Sequence, residues 1–266
     1  MSSTTEARVA VITGGSSGIG LAIARHFAGK GHTVYSLSRR PSMDGVRHIP
    51  CDVTDEASVN AAFAALEQAE GSLDILINNA GFGISGAVEF TELQKARNLF
   101  DVGYFGLLAC VKQALPLLRK SDAPLILNVG SLAAALPVPF QSVYSSAKAA
   151  VSALTLCLVN ELRPFGIRVC AVLPGDVRTG FTAARDKSAD GKELYGERLE
   201  RAVARMEADE KNGMPPERIA DAVYRAAMKR RPKPLFTVGA GYKLLFALSG
   251  LLPVRFVNWI EGKLYG

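Results

Sequence analysis

Histidine, cysteine and tryptophan are scarce in this 266-residue chain, at three, four and one. His26, His32 and His48 lie at no metal-ligand spacing, and Cys51, Cys110, Cys157 and Cys170 form no C-x-x-C pair, so no metal site is expected. The histidines read as surface or packing residues and the cysteines as buried core thiols. Charge runs are missing as well. The formal charge of +6 is scattered until Lys229-Arg230-Arg231, with no aromatic interleaving, which sets nucleic acid aside as a partner. Met1 to Arg8 is polar and carries no signal-type apolar segment, so the expected setting is cytoplasmic and reducing. The uncharged run from Leu244 to Val254 falls far short of the roughly 20 residues that a membrane-spanning helix needs.

What is present is a core-forming composition, 48% hydrophobic, sufficient for one α/β domain or two smaller ones. Val9-Ala10-Val11-Ile12-Thr13 reads as a strand and runs into Gly14-Gly15-Ser16-Ser17-Gly18-Ile19-Gly20, after which Leu21 to Ala28 has helical spacing. A glycine turn between strand and helix lets backbone N–H groups approach a pyrophosphate, and the helix N-terminus adds partial positive charge. The spacing is G-x-x-x-G-x-G, which departs from the usual G-x-G-x-x-G.

A second strand, Thr33 to Leu37, ends at Ser38-Arg39-Arg40. In a dinucleotide fold an acidic residue here binds the adenosine ribose, whereas a basic one accepts a 2′-phosphate, so serine and two arginines point to NADP. Val46 to Ile49 leads to Cys51-Asp52-Val53, and a helical pattern follows from Asp55 to Ala69, capped by Thr54 or Asp55. The apolar strand Leu73 to Ile77 ends in Asn78-Asn79-Ala80-Gly81, small and polar residues suited to a ligand beyond the strand end.

Ser131 follows the apolar run Leu125 to Val129, and Tyr144-Ser145-Ser146-Ala147-Lys148 comes shortly after. Four residues apart on a helix, Tyr144 and Lys148 share a face. A fixed positive charge there favours the phenolate, which makes Tyr144 a candidate acid/base with Ser131 holding a substrate oxygen.

The glycine loop from Thr13 to Gly20, Asn78-Asn79-Ala80-Gly81, Ser131, Tyr144 to Lys148 and Pro174-Gly175-Asp176-Val177-Arg178-Thr179 together resemble the short-chain dehydrogenase/reductase family over about residues 8 to 180. The resemblance implies an α/β fold, a single doubly wound Rossmann domain over 1–266 with a parallel sheet of about seven strands and helices on both faces. It also implies roles. Tyr144 would be the acid/base and Ser131 would polarise the carbonyl. Lys148 would bind the nicotinamide ribose and lower the Tyr144 pKa. Gly14, Ser16, Ser17 and Ile19 would line the phosphates, Asp52 and Val53 the adenine, and Asn79, Ala80 and Gly81 the adenosine ribose and sheet edge. Pro174, Gly175, Val177 and Thr179 would close over the nicotinamide.

Gly103 departs from the pattern, standing where the family usually has an asparagine that completes the catalytic set, so the side-chain amide of the proton relay is absent. The broadly apolar helices Leu107 to Leu118 and Ala149 to Leu162 imply a homodimer or homotetramer, with Cys110 and Cys157 near its interface. Residues 178–213 are expected to form a helical substrate lid. A helix begins at Pro215-Pro216-Glu217, and Leu235 to Val238 is expected to be the last strand. The apolar extension over 240–266 is expected to pack on the core or a partner subunit, then to wall the pocket, and last to touch a membrane surface. The expected activity is NADP(H)-dependent interconversion of a secondary alcohol and a ketone on a lipophilic substrate, a hydroxysteroid first. An acyl-chain ketoreductase and a catalytically weakened nucleotide-binding or scaffolding protein are the alternatives.

Overall fold

Strands form where aliphatic and β-branched residues run unbroken, and helices where the apolar period lengthens to one face in 3.6. The computed structural model describes residues 6–187 and 190–265. In chain order the elements are β1 (Val9–Thr13), α1 (Gly18–Gly29), β2 (Thr33–Ser38), β3 (Arg47–Pro50), α2 (Glu56–Glu70), β4 (Ile75–Asn78), β5 (Ile84–Ser85), α3 (Leu93–Phe100), a π-helical turn (Asp101–Phe105) and α4 (Gly106–Leu118). Then follow β6 (Leu125–Val129), α5 (Ser142–Glu161), β7 (Arg168–Val172), α6 (Phe181–Ala184), β8 (Asp186–Lys187), α7 (Lys192–Tyr195), α8 (Glu197–Lys211), α9 (Pro216–Ala227), β9 (Leu235–Phe236), α10 (Ala240–Ser249) and α11 (Val254–Tyr265).

Seven strands make one parallel sheet in the order β3-β2-β1-β4-β6-β7-β9, and β5 pairs with β8 in a small separate sheet. Alternate residues of β1 serve opposite layers. Ala10 and Ile12 pack with Ile23 and Phe27 of α1 and Ile219 and Val223 of α9. Val11 packs with Phe63 and Leu66 of α2, Val111 of α4, and Val151 and Leu158 of α5. With both faces covered, the central strands are buried throughout and read as unbroken apolar runs, as a doubly wound α/β sheet requires. The strand order reverses between β1 and β4, with β2 and β3 added on one side and β4, β6 and β7 on the other, which opens a crevice at the carboxyl ends of those two strands.

A buried polar chain fixes α5 to that sheet. Asn78 donates to Asn128 at 2.9 Å, Asn128 donates to the Thr155 hydroxyl at 2.9 Å, and Thr155 donates to the Val151 carbonyl at 2.7 Å. Each bond contributes about 1 kcal/mol net, and the chain also sets the rotation of α5, on which Tyr144 and Lys148 stand.

Some expectations change. β7 has no counterpart among the expected strands and occupies the place between β6 and β9. Cys51, Cys110 and Cys170 are buried, but Cys157 is exposed. Cys110 is fully enclosed between α4 and the sheet, so it cannot lie at a subunit interface through α4. The lid segment is mostly helical yet contains β8. Residues 188–189 of it, like residues 1–5 of the polar N-terminus and Gly266, lie outside the described residues.

Candidate active site

Each candidate site residue lines a single cleft of about 1140 Å³ at the carboxyl ends of the central strands. One end begins at the glycine loop. Gly14 has φ +66°, and a Cβ on it would come within 3.1 Å of the Ala80 Cα; one on Gly20 would lie 2.4 Å from both the Gly14 carbonyl oxygen and the Asn79 side chain. Only glycine fits either position. Ser17 caps α1 without using its side chain, so its hydroxyl and the first N–H groups of the helix stay open to the cleft. That donor set suits a dinucleotide pyrophosphate.

The loop is held from beneath. The Asn79 and Ala80 N–H groups donate to the Thr13 hydroxyl at 2.9 and 3.0 Å, and the Asn79 amide donates to the carbonyls of Thr13 and Gly14 at 3.1 and 3.2 Å. Asn79 therefore ties β4 to the loop through its side chain, and it also lines the cleft in which a ribose contact is expected of it. Thr13 is a positioning residue, a role that nothing in the sequence assigns to it.

At the end of β2 the Ser38 hydroxyl turns inward and donates to the Arg40 carbonyl at 2.7 Å. This leaves Arg39 and Arg40 exposed along the cleft, and neither has an ion-pair partner among the described residues. Asp52 accepts from the N–H and the hydroxyl of Thr54 at 3.0 and 2.8 Å. The backbone bond from Thr54 is the first cause that holds its carboxyl below the ordinary range, and the charge of Arg39 adds to it.

Ser131 caps the short turn after β6, accepting from the Ala133 N–H at 3.2 Å, and faces the cleft with Tyr144 and Lys148. The Lys148 ammonium donates to the Val129 carbonyl at 2.9 Å and lies 5.9 Å from the Tyr144 ring centroid. Burial pushes its pKa down to about 8. Burial also raises the Tyr144 pKa, which a hydrogen bond with Ser131 and the charge of Arg185 only partly offset. The expected lowering of the phenol by Lys148 is thus not seen in this arrangement, where the ammonium is turned to a backbone carbonyl and the desolvation of the ring dominates.

The loop after β7 closes the third side. Pro174 accepts from the Leu132 N–H at 2.8 Å, and Gly175 lies beneath the Tyr242 ring, where a Cβ would come within 2.3 Å of it. Val177 bridges to Met214, and Thr179 accepts from the Phe181 N–H at 3.2 Å.

Beyond Tyr144 the cleft continues between the lid and the tail, a region the sequence reading did not resolve into residues. Phe181 stands 5.7 Å from the Tyr144 ring. Arg185, whose side chain is wholly buried, forms an ion pair with Glu210. Met206, Leu245, Ile260 and Leu264 supply apolar wall, and Glu261 a buried carboxylate. The C-terminal extension therefore walls the cleft, the second of the three placements expected. Nothing in the composition of 178–213 marked Arg185 or Glu210 out from its other charged residues. Only the one-turn spacing of Ile260, Glu261 and Leu264 hinted at an inward face.

Comparison with known proteins agrees with this arrangement. Residues 8–190 match the family model described as short chain dehydrogenase. The chain is 35% identical over 246 residues to a 3-ketodihydrosphingosine reductase of Bacteroides thetaiotaomicron, covering 91% of each protein. Among solved structures it superposes on a short-chain dehydrogenase from Streptomyces avermitilis with TM-score 0.85 and 29% identity, covering 99% of this chain and 98% of that one. A short-chain dehydrogenase/reductase from Burkholderia phymatum in complex with NAD gives TM-score 0.77 and 25% identity, covering 92% of each. With that fold, that cleft and a family match across most of its length, the chain belongs to the short-chain dehydrogenase/reductase family of oxidoreductases.

Proposed function

We propose that this protein reduces the ketone of a long-chain lipophilic substrate with NADPH. The observation that carries the reading is the cleft itself, in which Ser131, Tyr144 and Lys148 stand between an anion-accepting glycine loop and an apolar chamber walled by the C-terminal helices. Ser131 and Tyr144 hold the carbonyl oxygen by hydrogen bond, and the Tyr144 hydroxyl gives it a proton as the alkoxide forms. When bound, a reduced nicotinamide supplies the hydride, which goes to the carbonyl carbon. The raised pKa of Tyr144 keeps the phenol protonated at neutral pH, as a proton donor requires. Lys148, with its pKa near 8, is suited to return a proton to the phenolate from solvent.

Arg39 and Arg40, exposed and without ion-pair partners among the described residues, favour a 2′-phosphate and so NADP over NAD. The name of the Bacteroides thetaiotaomicron relative favours a keto lipid over the hydroxysteroid expected from the sequence. The outer face of α10 and α11 supports membrane-surface contact by a cytoplasmic enzyme. Leu251, Val254 and Trp259 are 81%, 82% and 58% exposed, beside the basic Lys243, Arg255 and Lys263. Co-sedimentation with anionic but not neutral vesicles checks that contact. Exposed Phe105, Leu156 and Cys157 on the outer faces of the helices around α4 and α5 support a homodimer or homotetramer, which light scattering resolves.

The deciding experiment follows NADPH oxidation with long-chain 3-ketones, steroids and short ketoacyl esters, in the unmodified protein and in Tyr144→Phe. Turnover of a long-chain ketone that falls by about 100- to 10,000-fold in the variant, with NADPH binding retained, supports the reading. No turnover of any carbonyl would favour a nucleotide-binding or scaffolding role.

A further inference from the structure

Among the carboxylates that line the substrate half of the cleft, Glu261 stands apart. Asp176 accepts a hydrogen bond from Tyr242 at 2.7 Å, and Glu210 is held by Arg185 and by the Thr182 hydroxyl. Glu261 lines the same cleft, is only 8% exposed, and has no hydrogen-bond or ion-pair partner among the described residues. It sits on the inward face of α11, flanked by Ile260 and Leu264 and facing a chamber that Met206 and Leu245 also line.

A carboxylate so enclosed, opening only partly to the cleft, is stabilised by a cation that enters there. Burial raises its pKa, the expected response while no cation is there. The described residues offer it none. Arg185, the guanidinium of this half, is engaged with Glu210, and Lys148 donates to the Val129 carbonyl. Lys243, Arg255 and Lys263 are exposed residues of the tail and do not line the cleft.

We propose that Glu261 anchors a subsite for a protonated amine carried on an apolar chain, so that the lipophilic substrate of this cleft is an amino ketone. The ammonium would pair with the Glu261 carboxylate while its chain lies against Leu245, Ile260, Leu264 and Met206. Asp176, Glu210 and Glu261 against Arg185 and Lys148 leave this half of the cleft a negative formal balance, opposite in sign to the Arg39 and Arg40 end. This rests on the reading of the tail-walled chamber as the substrate site, and is tested by binding alone so that it stands or falls separately from turnover.

The probes are n-decylamine and n-decanol, one chain with and without charge, titrated calorimetrically at pH 7 into the full-length protein with NADP present. The unmodified protein binds the amine about 10- to 100-fold more tightly than the alcohol, as expected for a charge-assisted bond. Glu261→Gln, nearly isosteric, removes that preference and leaves decanol affinity unchanged. Equal affinity for the two probes in the unmodified protein, failure of the amine to bind, or an equal loss for both in Glu261→Gln overturns the proposal and leaves Glu261 a wall residue. The preference in the unmodified protein decides even if the variant does not fold.

Discussion

The Tyr242 hydroxyl donates to the Asp176 carboxylate at 2.7 Å and accepts from the Asp176 N–H at 3.1 Å, joining α10, the first helix of the C-terminal extension, to the loop that follows β7. The two residues are 66 positions apart, and the contact makes the tail a part of the cleft. Burial raises the Asp176 pKa, and the bond from Tyr242 is the first influence that opposes it. Tyr242→Phe removes both bonds and leaves a half-buried carboxylate and N–H unpaired, a cost of about 1–3 kcal/mol. Thermal unfolding should register that loss. KM for lipophilic ketones should rise several-fold while the Kd for NADPH changes little, and an unchanged KM would separate the tail from substrate binding.

The proposed preference for NADP rests on the arginines after β2. Ser38 is committed to the Arg40 carbonyl, so the charge that faces the cleft belongs to Arg39 and Arg40. A charge-assisted phosphate contact is worth about 1.5–3 kcal/mol, roughly 10- to 150-fold in kcat/KM. The unmodified protein should prefer NADPH to NADH by a factor in that range, and Arg39→Ser with Arg40→Ser should bring the ratio near one. Equal efficiency with both cofactors before any substitution refutes the assignment.

Lys148 links the site to stability. Its pKa in the fold is about 8, below the ordinary 10.5, because burial disfavours the ammonium. Between those values the unfolded chain binds more protons than the folded one, so stability rises with pH across that window. Below about pH 8 the charged form is buried at a cost of about 3 kcal/mol, taking 1.36 kcal/mol per pKa unit, and the bond to Val129 returns about 1. Lys148→Met should therefore be inactive yet more stable than the unmodified protein at pH 7, with the gap closing above pH 10. Denaturant melts at both pH values measure it. A less stable methionine variant at pH 7 would mean that the ammonium is better solvated than its burial implies.

Sequence and structure agree best where the signal is local. Val9 to Thr13 followed by the glycine loop reads as strand, turn and helix because hydrophobic period and the need for glycine act within a dozen residues. The four-residue spacing of Tyr144 and Lys148 is likewise a property of one helix. The Glu210 and Arg185 pair, and the meeting of Tyr242 with Asp176, arise from packing of separate elements, and no period in the sequence encodes them. The same holds for Asn79. Its place at the carboxyl end of a strand, facing a ligand, is legible, but its bonding to the Thr13 and Gly14 carbonyls depends on how closely β1 and β4 approach.

Gly103 lies in the π-helical turn Asp101–Phe105, which interrupts an otherwise continuous helix from Leu93 to Leu118. Such turns displace backbone carbonyls from their regular partners. The bend is thus present with glycine, and a side-chain amide is not required to produce it. A Cβ at this position meets nothing within 4 Å, so a side chain can start here without displacing a neighbour. Glycine costs a helix several tenths of a kcal/mol relative to asparagine, both being below alanine. Gly103→Asn should accordingly be slightly more stable, by less than about 1 kcal/mol. If the amide orders water between Lys148 and solvent, proton return to Tyr144 quickens and steady-state kcat rises several-fold, while single-turnover hydride transfer, which draws on the proton already on Tyr144, is unchanged. Rapid-mixing and steady-state rates on both proteins distinguish these steps. A variant faster in the single turnover would place the amide at the carbonyl itself, and one unchanged in both rates and no more stable would show that glycine carries no penalty at this turn.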